Sequence, residues 1–548
     1  MKKNSFVEGT MIATISIILV KLLGMLYVIP FYKIVGSQGG ALYSYAYVIY
    51  LLFLNISSAG LPNAISKIIS EYDTLGYHNT KNRAFFLARK VLMFISIITF
   101  LVLFVFAEEI GMFIIGDLTG GNTYQDVAFV IRCVSPAILI VPFLSITKGY
   151  LQGHKIVGPS SISQIIEQVV RILIILCGSY FVMNMMHGTL TVAVGVATAS
   201  AGISALVAYI YLKSKFRKEN LLDPNIAKKK EEEEITNKMV IKKIVSYAVP
   251  FIIISIVTDI YNFTDQILVL RTISNMGYST QDVEFIASAI STWSPKICMT
   301  INALAMGMSV PLIPAIVSAY TKNDKKEVND NINRSIALVF FLSLPVSFGI
   351  ATLAQPVWNI FYNANPYGGM ILRLAVISAL CANVYMIISI ILQSLGKYKL
   401  VYIVSISGFL LNALFDIPWM LFMNKIGFEG FLGSIISSIL GFTISVLIGL
   451  YGLRKLDKDI HFGKLFNWFI KTLTCGICMV IPLIILNNLL IVDVTRVGGA
   501  ILKIILYVLI AAPIYIFVAS KFKLFSELLG EETTNKLLRK ISFGKLGK

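Results

Sequence analysis

The stretch SIILVKLLGMLY, residues 16–27, places one lysine, Lys21, in the middle of an apolar run. Leu19 and Val20 precede it, and Leu22 and Leu23 follow. The run belongs to a longer apolar segment, 10–35, enough to cross a bilayer, which needs roughly 20 residues of helix. At the helical rise per residue, Lys21 stands about 16 Å from the Thr10 end and about 21 Å from the Val35 end, near mid-bilayer. A lysine at that depth costs roughly 2.5–3.5 kcal/mol on insertion scales, and such residues face a water-filled cavity or a partner. The favoured reading is a charge that faces a cavity. A structural ion pair with a carboxylate elsewhere in the chain is the alternative.

The pattern extends along the chain. Of its 548 residues, 57% are hydrophobic and 14% charged, and the mean hydropathy is +0.79; soluble domains carry about 25% charged residues. Apolar runs of bilayer length recur throughout, so an all-α polytopic membrane protein is expected. Fourteen transmembrane helices are read at 10–35, 41–70, 83–107, 127–151, 159–184, 189–213, 244–270, 284–319, 334–355, 369–394, 399–423, 429–453, 465–488 and 498–520. The first run is too long for a signal-peptide core and no small-residue cleavage site follows it, so no cleavable signal peptide is expected. The six cysteines all lie in apolar segments, which argues against an extracellular disulfide framework, and CGIC at 475–478 reads as two small residues on a membrane helix. The four histidines are scattered, without metal-ligand spacing.

The net charge of +18 follows topology, not nucleic-acid binding. Lys2 and Lys3, Lys81 and Arg83, Lys155, Lys322, Lys325 and Lys326, Lys397, then Arg454, Lys455 and Lys458 fall in every second connection. The 108–126 connection carries Glu108, Glu109, Asp117 and Asp126 and no base. By the positive-inside rule both termini are cytoplasmic. The polar stretch 214–243, containing AKKKEEEEITNK, reads as a solvated cytoplasmic linker. It would divide an N-lobe of six helices (1–213) from a C-lobe of six (244–453), followed by two more helices (454–520). IRCVSPAILIVPFLSITKGYLQG (131–153) aligns without gaps on LRLAVISALCANVYMIISIILQS (372–394), with Arg132 on Arg373. These are spans four and ten, so the lobes are expected to be parallel pseudo-repeats. The tail, 521–548, is apolar and basic and reads as an amphipathic cytoplasmic segment on anionic lipid.

Further polar residues fall inside the spans. Lys296 follows Pro295 on span eight, which also holds Pro311 and Pro314. With Lys21 it would make a central cleft cationic and suited to a phosphate or pyrophosphate. Asp259 and Asp265 lie on span seven, and Asn412 and Asp416 share one face of span eleven. Carboxylate, amide and hydroxyl oxygens suit a hard cation, with polar helix contacts as the alternative. Ser160, Gln164, Glu167 and Arg171 run along one side of span five. They read as a structural polar seam, with a substrate or gating role as the alternative.

VKLLGMLYVIPFYKIVGSQGGALY (20–43), GLPNAISKIISEY (60–72) and KGYLQGHKIVGPSSISQIIEQVVRI (148–172) resemble the YtgP/MurJ-type lipid II flippases of the multidrug/oligosaccharidyl-lipid/polysaccharide exporter superfamily, over essentially the whole chain. The resemblance implies a fourteen-helix flippase that moves undecaprenyl-pyrophosphate-linked peptidoglycan precursor outward across the bacterial plasma membrane. It implies substrate contacts for Lys21, matching the family's first-helix arginine, and for Lys296, near its eighth-helix arginine. It also implies a sodium site at Asp265, Asn412 and Asp416, with Ser434 as the hydroxyl. Where Gram-negative members carry further arginines on the first two helices, this chain has Tyr27, Val28 and Ala59.

The function expected is alternating-access flipping of a lipid-linked anionic glycan, with Lys21, Lys296, Glu167 and Arg171 on the substrate side. No enzymatic activity and no cofactor beyond a coupling Na+ are expected, and no P-loop is present. The partners expected are the lipid-linked substrate and membrane lipids, for a monomer associated with cell-wall synthesis machinery. The rival readings are a flippase for a teichoic acid, capsule or spore cortex precursor, and a drug–cation antiporter of the same fold. A cysteine introduced at position 230 should resist an impermeant thiol reagent in intact cells, whereas one at position 120 should react. The opposite pattern would invert the topology.

Overall fold

The computed structural model describes residues 6–58, 60–218, 232, 234–303, 316, 319, 320, 322, 324–456, 461–489, 493, 494 and 496–529. Most of the charged linker, Ala59, Pro311, Pro314 and the tail beyond Leu529 lie outside these residues. Among the described residues there are helices and no strands. The helices are α1 (Phe6–Leu26), α2 (Val28–Ser58), α3 (Leu61–Leu75), α4 (His78–Val105), α5 (Ala107–Ile115), α6 (Tyr124–Val134), α7 (Ala137–Gly153), α8 (Gly158–Leu173) and α9 (Leu190–Lys218). They continue as α10 (Asn237–Ile273), α11 (Thr280–Ser288), α12 (Lys325–Thr352), α13 (Ala354–Tyr362), α14 (Gly368–Ser394), α15 (Tyr398–Lys425), α16 (Leu432–Leu456), α17 (Gly463–Leu489), α18 (Val497–Lys521) and α19 (Leu524–Leu529). Eleven helical spans among the described residues are long and apolar enough to cross a membrane, and Ile15–Leu26 adds a shorter apolar helix.

Several spans are broken where the sequence predicts single helices. The first ends at Gly36, whose φ of 67° interrupts α2, a conformation that glycine adopts without a Cβ clash. The second breaks at Gly60, φ 71°, and Pro62 starts α3. The fourth bends at Pro136 between α6 and α7. The fifth passes from α8 into π-helical turns at Ile174–Gly178 and Phe181–Met185. At 37 residues, α10 is about 56 Å long. It outreaches the bilayer core and carries its polar start, capped by Thr236, beyond the lipid.

The chain groups into two compact units, one holding the residues up to Met299 with Asn412–Ser434, the other Thr300–Leu411 with Ile435 onward. In the first, α3 packs on α4, α7 and α10 around Ile65, Ile68, Ile69, Phe85 and Tyr150. Gly149 permits the α3–α7 approach, since a Cβ there would lie 2.5 Å from the Pro62 carbonyl oxygen. In the second, α12 packs on α14 and α17, and α17 on α18.

The internal repeat is visible in the backbone. A 28-residue helix, α4 or α12, is followed after one residue by a 9-residue helix, α5 or α13. Arg132 Nε then donates to the carbonyl of Phe104, and Arg373 Nε to that of Ala351, each at 3.3 Å. Both acceptors are the penultimate residues of their helices. The start of the tail packs on the second unit. Leu524 and Leu528 are buried in the second unit, and Glu527 accepts from Trp468 Nε1 at 2.7 Å and Lys471 Nζ at 3.1 Å. This part docks on protein because its apolar pair is spaced i, i+4 and its acid finds a cation.

Gly149→Val should lower the thermal unfolding temperature of the purified protein, by overpacking of about 1–3 kcal/mol. Gly158→Ala, where a Cβ meets nothing within 4 Å, should leave it unchanged. Equal unfolding temperatures for the two variants would contradict the close α3–α7 seam.

Candidate functional site

Lys296 lies just past a π-helical turn, Ala289–Trp293, which inserts an extra residue and re-aims the helix, as π turns at functional sites do. Its side chain is buried, 9% exposed. Lys296 Nζ donates to the Tyr27 hydroxyl at 3.3 Å and lies 4.7 Å from the Tyr47 ring centroid and 5.4 Å from that of Tyr27. Tyr27 Oη meets Tyr43 Oη at 3.4 Å, and Tyr43 stacks on Tyr47 at 5.3 Å and on Trp293 at 5.8 Å. Tyr43, Tyr47 and Tyr50 share one face of α2, and Tyr27 occupies the turn between α1 and α2. Ring faces attract an ammonium, by about 2 kcal/mol where water is excluded.

A second cationic group stands beside these tyrosines. Arg171 Nη2 pairs with Glu167 Oε1 at 2.9 Å, and Lys148 Nζ from α7 with Glu167 Oε2 at 3.1 Å. Arg171 is within electrostatic reach of Tyr43, Tyr47, Tyr50 and Lys296. Its Nε is buried with no hydrogen-bond partner among the described residues. Two cations, Lys148 and Arg171, thus share one carboxylate, and a third, Lys296, lies within electrostatic reach of Arg171. The guanidinium and ammonium donors suit phosphate oxygens, and the tyrosine rings allow the charges to stand close in an apolar interior.

Polar contacts close one end of this cluster. Ser44 Oγ lies 2.7 Å from Thr292 Oγ1 and 3.2 Å from Ser291 Oγ, and accepts from Gln266 Nε2 at 2.7 Å. Farther along, Glu284 Oε1 accepts from Asn122 N at 2.8 Å and Nδ2 at 3.0 Å. Gly121 leaves room for that carboxylate, since a Cβ there would sit 2.7 Å from the Glu284 carboxylate carbon and displace it.

Of the substrate-side residues predicted from sequence, Lys296, Arg171 and Glu167 come together. Lys21 stands on another helix. It lies partly exposed on α1, one turn before Gly24, whose Cβ position faces the Gln168 amide of α8 at 3.3 Å. It is Tyr27, further along the same span, that meets Lys296. Sequence reasoning missed Lys148 and the tyrosines. Lys148 carries the same signal as Lys21, a lysine within an apolar span. The tyrosine face becomes meaningful only when Lys296 is set against it.

The oxygens proposed for a cation are buried in the first unit. Asp265 is 6% exposed, and Asn412, Asp416 and Ser434 are 0%. Both carboxylate oxygens of Asp416 are enclosed without a strict hydrogen bond, and the Ser434 hydroxyl is its polar neighbour. A buried carboxylate so placed fits a hard monovalent cation with Asn412 and Ser434 as further oxygen donors. Asp259 sits apart from this set, accepting a hydrogen bond from Asn55 Nδ2.

The fold is that of an all-helical polytopic membrane protein. Residues 6–316 match the family described as polysaccharide biosynthesis protein, and residues 250–417 match MatE. The chain belongs to the polysaccharide biosynthesis protein family, within the multidrug/oligosaccharidyl-lipid/polysaccharide exporter superfamily. It is 29% identical over 479 residues to Lipid II flippase MurJ of Bacillus subtilis (strain 168), covering 85% of each chain. It is 22% identical over 341 residues to Stage V sporulation protein B of the same organism, covering 62% of this chain and 63% of that one. Its fold is similar to the structure described as Lipid II flippase MurJ, inward closed conformation, with a TM-score of 0.66 and 15% identity, over 95% of this chain and 100% of that one.

Sodium should raise the thermal stability of the purified protein, and Asp416→Asn should reduce that gain several-fold. Equal stability of the wild type in sodium and in choline salts would remove the cation site.

Proposed function

We propose that this protein is a flippase that carries a lipid-linked glycan bearing a pyrophosphate from the inner to the outer leaflet of the bacterial plasma membrane, and that lipid II is its substrate. The observation that carries this reading is the tyrosine-lined pairing of Lys296 with Tyr27, within electrostatic reach of Arg171, which shares the single carboxylate Glu167 with Lys148. An anion of two phosphates offsets that excess of charge. Arg171, with a buried Nε donor, and Lys296 hold its oxygens, while Glu167 keeps Arg171 and Lys148 oriented between transport events. Lys21 serves the same anion from α1 as it enters. The likeness to a protein named lipid II flippase supports this substrate.

The transport cycle is alternating access, with the six-helix lobes as its moving parts and both termini cytoplasmic. The contacts of Ser44 with Thr292 and of Asn122 with Glu284 would have to open to release the glycan outward. A monovalent cation held by Asp265, Asn412, Asp416 and Ser434 would reset the cycle. A second reading, transport of another lipid-linked glycan, draws on the likeness to a sporulation protein. Export of cationic drugs, as the MatE match would allow, is disfavoured by the sign of the cluster.

In a flippase-depleted strain, Lys296→Ala should abolish growth support at normal protein level. Lys296→Arg should retain much of it, because charge and phosphate geometry survive. Lys21→Ala should also abolish support and Lys21→Arg preserve it. Growth with Lys296→Ala would overturn the substrate role of the cluster. Wild-type rescue of a spore cortex defect but not of peptidoglycan synthesis would favour the second reading.

A further inference from the structure

A groove of about 740 Å³ opens where α3 and α7 end. Ser66, Lys67, Ser70 and Thr74 form one wall, at the spacing of a single face of α3, and Gln152 and Lys155 form the other. The opposite face of α3, with Ile65, Ile68 and Ile69, is in the core. The two walls are held close by Gly153, where a Cβ would lie 2.8 Å from both the Ser66 carbonyl oxygen and Ile69 Cβ. We infer that this groove is a second anion site, which takes a phosphate group at the depth of the lipid headgroups and is separate from the Lys296 cluster.

Three observations point to an anion. Glu71, the carboxylate in the wall, is engaged by Lys243 at 2.7 Å. Lys67 lies 4.2 Å over the Tyr247 ring, and neither Lys67 nor Lys155 has a carboxylate within 4.0 Å among the described residues. The groove is therefore cationic, with hydroxyl and amide donors around it. The backbone of Lys155 is left-handed, φ 62°, in the turn closed by Lys155 N to Gln152 O at 2.9 Å and Ile156 N to Leu151 O at 3.0 Å. Glycine is the relaxed residue at such a helix end, so a lysine held there points to use of its side chain. Leu75, 46% exposed, sits in the groove lining beside the polar donors, where an acyl chain would run from a bound headgroup.

Phosphate of this kind comes from an anionic phospholipid or from a soluble pyrophosphate compound. Native mass spectrometry of the purified full chain with phosphatidylglycerol, and thermal shift with inorganic pyrophosphate, separate the two sources. Measured in a Lys296→Gln background, so that the central cluster does not contribute, K67Q/K155Q should lose at least about fivefold of whichever response that background shows. Loss of retained phosphatidylglycerol alone assigns the lipid; loss of the pyrophosphate shift alone assigns the soluble anion. Lys155→Gly should unfold at a higher temperature by relaxing the turn, yet bind more weakly. Equal binding by the wild type, K67Q/K155Q and Lys155→Gly, or no response from the wild type to either probe, overturns the site. Because Lys296 takes no part, this result stands or falls apart from the flippase reading.

Discussion

A charge removed from water inside a membrane must be given company, and the architecture around Lys296 follows from that constraint. The hydration lost by a buried ammonium is too large to leave uncompensated. Here the replacement is a hydroxyl and two ring faces from Tyr27 and Tyr47. Their placement requires the turn at Tyr27, the break at Gly36 that separates the two halves of α2, and the π turn that delivers Lys296 to them. Ser44 then ties the tyrosine face to the Lys296 segment through Thr292 and Ser291.

The cluster around Glu167 solves the same problem with another chemistry. One carboxylate shared by Arg171 and Lys148 meets part of the demand of both cations, and the tyrosines buffer the space between them and Lys296. Breaking such a buried network leaves an uncompensated charge, so its members behave as a unit. The acids Asp265 and Asp416 stand on other helices, α10 and α15.

The fold alone would permit several activities, since superfolds host many functions. The MatE match and the polysaccharide-family match overlap in this chain over residues 250–316. The repeated unit is a long helix, a short helix and an arginine-to-carbonyl contact.

Composition and apolar run length determined that this chain is a helical membrane protein, because an unbroken run of about 20 apolar residues spans lipid as a helix that satisfies its own backbone hydrogen bonds. The repeat at 131–153 and 372–394 was legible because both copies must make the same turn and the same arginine contact. The sequence also marked Lys296, Glu167 and Arg171, since charges within apolar spans are rare. What it could not determine was which of them meet. Lys21 and Lys296 read alike as isolated lysines, yet it is Lys296 that donates to the Tyr27 hydroxyl, and Lys148 joins Glu167 from another helix. Those choices depend on helix rotation, on kinks at Gly36 and Pro136, and on one inserted residue in the π turn. Each turns a side chain through a large angle while leaving the apolar pattern of the span nearly unchanged. The docking of Leu524 and Leu528 on protein, not on lipid, has the same cause: an apolar face is visible in sequence, and the surface that covers it is set by packing.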